Sequence, residues 1–338
     1  MSEAATQLAA QMRARGVIPE VAPAPPADTS DRPWFVSLLQ GAAGWLAGIF
    51  LLLFIGFAFK PDSGPAIFVL GALLLVAAWF LYYADRSGAF LDQLALAISI
   101  AGQIAVVWSM IKDHETGLGF STTALLVQVF VLLVMPNKIA RTLAALFATI
   151  SWVYTVRFLL WPGSVERIFF EEGYGDPALL GGWALAVAWL LTWLPLLALA
   201  GWLIFSEPQW MASKLRRVAR PALNGLLLGV SIGAIAAEPF TMIIWGAENW
   251  GRRVDWLAIF PLLSIGLTLF AAYGAFRVRS GGLLGFAVFA ALLHLSRFYY
   301  LYGTSLVWKS VIMLCMGAAL LLAGIAMRTR RPEAGEAA

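Results

Sequence analysis

Five ionisable side chains fall inside or near the ends of long apolar runs: Arg157, Glu238, His294, Arg297 and Lys309. A charge at that depth is expensive in lipid unless it is neutralised, paired or facing water. Glu238 stands before Pro239, which removes the helical bond to the Ile235 carbonyl and leaves an acceptor free. An acid beside such a carbonyl is suited to holding a proton or a small cation. The plainer readings are a structural ion pair, or a helix that ends near residue 238 with Glu238 at the interface. Arg157, His294, Arg297 and Lys309 fall toward one end of their runs, at a depth similar to that of Glu238. Facing one another, they would favour an anion or a lipid headgroup. The competing reading is that the long side chains snorkel to lipid phosphates. Asp92 and Gln93 open another run, and Gln103 and Gln128 lie deeper, where bonds across helices are expected.

Gly225, Gly229 and Gly233 recur every four residues, and Gly44 with Gly48 repeats that spacing. It puts a smooth strip on one helix face, where a neighbouring backbone can approach closely. The reading is helix packing, with a sliding contact in alternating access as the functional alternative. Gly281 and Gly285 carry the same spacing and are read in the same way. Two enzyme-like strings do not carry their chemistry. Gly229-Val230-Ser231-Ile232-Gly233 matches G-x-S-x-G, which needs a strand-to-helix turn and here sits within an apolar helix. Gly173-Tyr174-Gly175-Asp176 resembles the GxGD of intramembrane aspartyl proteases, but the other aspartate, Asp92, is expected on the opposite side. There is no HExxH, Walker A or haem-type histidine pair, so no cofactor and no metal are expected. The one cysteine, Cys315, excludes an intrachain disulfide and a thiolate metal site.

The elements that must position these residues are ten runs of about 17–25 residues, each able to cross a hydrocarbon core of roughly 30 Å as a helix. They span 34–59, 65–83, 88–111, 118–135, 139–160, 178–205, 221–245, 256–276, 281–297 and 304–327. The chain is 61% hydrophobic and 12% charged, with a mean hydropathy of +0.82. A soluble domain of this length would need far more charged surface. The expected fold is an all-α polytopic bundle of about ten spans over 34–327. Residues 1–33 form a cytoplasmic arm with a short Ala-rich helix and the linker VAPAPPAD, and 328–338 form a short cytoplasmic tail. Of the 23 Lys and Arg, fifteen fall on the side of the N-terminus, six opposite, and Arg157 and Lys309 within spans. The net charge of +4 is therefore topological rather than a nucleic-acid signal, and both termini are expected in the cytoplasm.

Two stretches, PWFVSLLQGAAGWLAGIFLLLFIGF at 33–57 and SRFYYLYGTSLVWKSVIMLCMGAALLL at 296–322, join LAAQMRARGVIP at 8–19 in a resemblance. With them the chain resembles the bacterial integral membrane proteins of the domain-of-unknown-function 4401 family. The resemblance implies an inner-membrane location and a co-encoded, membrane-associated partner bearing a GDYxxLxY motif. It supplies no catalytic residues. Three functions compete on these grounds. The first is a carrier or channel for a small solute or ion. The second is a non-transporting scaffold for the co-encoded partner. An intramembrane hydrolase is the remote third.

Overall fold

The structure is a computed structural model that describes residues 11–12, 15, 34–59, 63–84, 89–114, 116–160, 182–236, 259–301 and 305–329. The described residues are helical, with no strand among them. The helices are α1 (Trp34–Phe59), α2 (Gly64–Ala84), α3 (Ala89–His114), α4 (Gly117–Val134), α5 (Lys138–Leu160) and α6 (Gly182–Phe205), then the short α7 (Glu207–Met211). They continue with α8 (Arg216–Ala236), α9 (Ile259–Arg277), α10 (Gly281–Leu301) and α11 (Leu306–Thr329). Each expected span has its helix, and α7 is an addition. Of the expected arm helix, Gln11 and Met12 are described and helical; the linker, the loop 161–177 and the tail lie outside the described residues.

Among the described residues, six helices, α1 to α6, are long and apolar enough to cross a membrane. The apolar stretches of α9, α10 and α11 are shorter, and α8 opens on Arg216, Arg217 and Arg220. The chain is a helical membrane protein: α1, for example, turns Phe50, Phe54 and Phe57 outward, as a helix does whose solvent is lipid.

The buried apolar residues form two clusters that share α5. Leu74, Ala78, Leu96, Ile98, Val131, Ala140 and Ala144 join α2, α3, α4 and α5. Val153, Trp193, Leu223, Leu227, Val230, Leu267 and Ala287 join α5, α6, α8, α9 and α10. α5 begins on a built cap, with Asn137 Oδ1 accepting from the amides of Ile139 (2.7 Å) and Ala140 (3.2 Å).

Lipid offers no hydrophobic drive for helix association, so close contact and hydrogen bonds must supply it. Three seams do so with glycine. A Cβ on Gly44 would lie 2.6 Å from the Phe90 carbonyl oxygen of α3, and one on Gly48 2.8 Å from Ala97 Cβ. Gly71 of α2 faces Gly102 and Val106 of α3, with 2.8 Å between a Cβ and the Val106 nitrogen. On α8, a Cβ on Gly225 would strike the Thr142 carbonyl oxygen of α5, and one on Gly229 would lie 2.5 Å from Thr149 Cβ. Gly281 and Gly285, by contrast, have nothing within 4 Å of a Cβ. Their helix turns these glycines outward and buries Ala287 and Ala290 instead.

Proline shapes α6. Pro195 leaves the Leu191 carbonyl without its helical donor. The adjacent Thr192 carbonyl accepts the Trp152 indole N–H of α5 at 3.0 Å, so a neighbouring helix supplies a donor where the turn is opened. Trp152→Phe keeps an aromatic ring, smaller than the indole, and deletes that donor. It should lower stability by about 1–2 kcal/mol, read as a drop in melting temperature in detergent. An unchanged melting temperature would show that the bond contributes nothing.

Candidate functional site

The loops at one end of the bundle are tied together. Arg141 of α5 donates through Nη1 to the Arg217 carbonyl at 2.7 Å. Arg220 donates through Nη2 to the Val278 carbonyl at 2.9 Å and pairs with Glu207 at 3.6 Å. Trp210 donates to the Leu203 carbonyl at 2.8 Å and closes the corner between α6 and α7. This end therefore holds the starts of α5, α8 and α10, and the three helices run the same way. Arg157 and His294 belong to the far halves of α5 and α10.

Arg157 occupies the last turn of α5 and is 5% exposed. Nineteen residues from Lys138 put it about 28 Å along the helix. Val153, Val156 and Phe158 are buried around it, and the Phe158 ring fills the space a Cβ on Gly117 would need. His294 is 1% exposed and follows Ala287 and Ala290 on the inward face of α10. Thirteen residues from Gly281 put it about 20 Å along, so it lies roughly a turn and a half deeper than Arg157. α8 packs against both α5 and α10. The end of α8 at Ala236 reaches about 30 Å, the level of Arg157. Arg157, His294 and Lys309 each interact with a polar, charged or aromatic neighbour. Lys309 stands half-buried in the first turn of α11, which starts at the far end of the bundle. Arg297 lies one turn beyond His294; its side chain and the whole of Glu238 lie outside the described residues. Gly233 is helical in α8, with its surroundings likewise undescribed.

The other buried polar groups are mostly satisfied within their own helices. Thr149, Thr192 and Ser231 donate to the carbonyls of Ala145, Ala188 and Leu227 at 2.8–2.9 Å. Ser231 sits in an unbroken helix, so the G-x-S-x-G string forms no nucleophile elbow. Gln103 corrects an expectation: its amide donates to Ser99 Oγ one turn back on α3 at 3.0 Å, not across helices, because a serine at i−4 is within reach. Gln93 does bond across helices, accepting from the Trp45 indole at 3.0 Å. Among the described residues, Gln128 Oε1 has no hydrogen-bond partner, and no His, Cys, Asp and Glu gather as a metal site. Sequence reasoning missed the Gly71–Gly102 contact, since neither glycine belongs to a repeat.

Residues 33–252, well over half of the chain, match the family model described as a domain of unknown function, DUF4401. The chain belongs to this family. The DUF4401 match covers α1 to α8 and runs past Glu238. It stops before His294, Arg297, Lys309 and the 296–322 stretch. No curated protein and no solved structure matches the chain.

Proposed function

We propose that this DUF4401 protein is a ten-span protein of the bacterial inner membrane, with both termini cytoplasmic, that acts as a carrier or channel for a small solute or ion. The observation that carries the transport reading is the burial of Arg157 and His294 in otherwise apolar helices. Ionisable groups held at that depth mark ion and substrate paths. α8 is packed on the helices of both, and Glu238-Pro239, the candidate proton or cation site, follows its last described residue, Ala236, in the sequence. The orientation rests on the fifteen-to-six basic asymmetry.

Purified protein in vesicles should show pH-dependent flux of a proton, alkali cation or small anion. Glu238→Gln should abolish it with little change in melting temperature, because Gln mimics the protonated acid. Wild-type flux no greater than that of protein-free vesicles for all three classes would remove the reading. A reporter at the C-terminus should be cytoplasmic, and a cysteine at position 170 should label from outside. An externally labelled C-terminus would overturn the even number of spans.

A second reading rests on α11. It turns Leu314, Leu321 and Leu322 outward and has no close-packed neighbour among the described helices. A scaffold holding a co-encoded membrane-associated subunit would use such a helix. Purification in gentle detergent should then recover a stoichiometric partner, lost on deletion of 305–329. A protein fully active alone would remove this alternative.

A further inference from the structure

The tied end of the bundle carries more than a topological signal. Exposed Lys214, Arg216, Arg217, Arg277 and Arg279 converge there on two connections that Arg220 joins through its bond to the Val278 carbonyl. On these connections the one described acid, Glu207, is already paired with Arg220. The cations are therefore uncompensated by the loops that hold them. Arg279 also keeps φ 54°, where glycine would sit with less strain, so a cation is retained there at a backbone cost.

Apolar residues are interleaved with these cations. Leu215 is 63% exposed between Lys214 and Arg216, and Met211 is exposed one turn earlier. Trp210 is buried and bonded to the Leu203 carbonyl, which fixes the connector against α6. A connector that offers cations and exposed aliphatic chains side by side, at the end of a membrane bundle, matches an amphiphile with a negative head and an apolar tail. An acidic protein segment would satisfy the cations and leave Leu215 in water.

We infer that this end of the bundle is a binding site for anionic phospholipids, with Lys214, Arg216 and Arg217 holding the headgroup phosphate and Met211 and Leu215 contacting the acyl chains. The site lies at the opposite end from Arg157 and is independent of what the protein transports or holds.

The test uses full-length protein recovered from vesicles of equal phosphatidylglycerol and phosphatidylcholine, with retained lipid counted by native mass spectrometry. Wild type should retain phosphatidylglycerol preferentially. The triple variant K214Q/R216Q/R217Q should lose about fivefold in retention per charge, on the order of a hundredfold in all. All three side chains are exposed, so folding should persist, with melting temperature in neutral lipid as the check. Leu215→Ser should weaken lipid retention severalfold and leave the binding of inorganic phosphate unchanged. Equal retention of the two lipids by wild type would overturn the inference, as would a triple variant that folds and retains phosphatidylglycerol like wild type. Displacement of the lipid by inorganic phosphate at matched concentration would reassign the cations to a free-phosphate site. Displacement by an acidic peptide with L215S behaving as wild type would reassign them to a protein partner.

Discussion

Gly225→Leu should yield almost no folded protein in the membrane, whereas Gly285→Leu should leave yield and melting temperature close to wild type. The two glycines lie on α8 and α10, which touch, nine and four residues past the helix starts; the change in side chain is the same and the surroundings differ. Gly225 meets backbone: the Thr142 carbonyl oxygen, and the Leu146 nitrogen at 2.8 Å from a Cβ, with Ala145 Cβ at 2.5 Å. Backbone of a neighbouring helix cannot turn aside as a flexible side chain can, so α5 and α8 must separate. Overpacking of an ordinary core costs about 1–3 kcal/mol. Parting this seam should exceed that, because it forfeits the contacts of the helix shared by both buried clusters. Gly285 has nothing within 4 Å of its Cβ.

Gly229 separates the two kinds of obstacle. Its neighbour is the Thr149 side chain, so Gly229→Ala should be partly rescued by Thr149→Gly, while no single side-chain deletion should rescue Gly225→Ala. The readouts are monodisperse yield and melting temperature in mild detergent. A wild-type yield of Gly225→Leu would show that α5 and α8 do not meet along this strip.

Arg157→Leu should be the second most damaging change. Arg157 is buried, 5% exposed, and interacts with its surroundings. Deleting its guanidinium leaves a buried neighbour without its partner, a loss of about 1–3 kcal/mol. Arg157→Lys restores the charge without the planar fork and should recover part of the fold. A snorkelling arginine behaves differently: Lys would match wild type and Leu would cost under about 1 kcal/mol. Stability of the two variants in detergent decides between them. Under the transport reading, Arg157→Lys that folds should still lose flux, since a point charge does not reproduce bidentate contact with an anion.

Helix positions and the basic asymmetry were legible before any coordinates. In lipid a segment must satisfy its own backbone, so an apolar run of sufficient length becomes a helix whatever lies beside it. That is a local condition, and the ten runs accordingly match helices to within a few residues over most of their ends. Which helices touch is not local. Gly44 and Gly225 share the same spacing with Gly281, yet the first two meet backbone and the last meets nothing, because spacing defines a strip but not the direction it faces. The α7 corner, the Gly71–Gly102 contact and the Gln103–Ser99 bond carry no repeat or run that would announce them. Depth is likewise tertiary: His294 and Arg157 read as level neighbours in a linear map of spans. They separate by roughly a turn and a half once α5 and α10 are set from a common end, because Arg157 stands nineteen residues along its helix and His294 thirteen along its own. The sequence alone determined that this chain enters a membrane and which residues would be costly there. Only the tertiary structure decided which of them are buried, because burial depends on the helix opposite and not on the run that contains the residue.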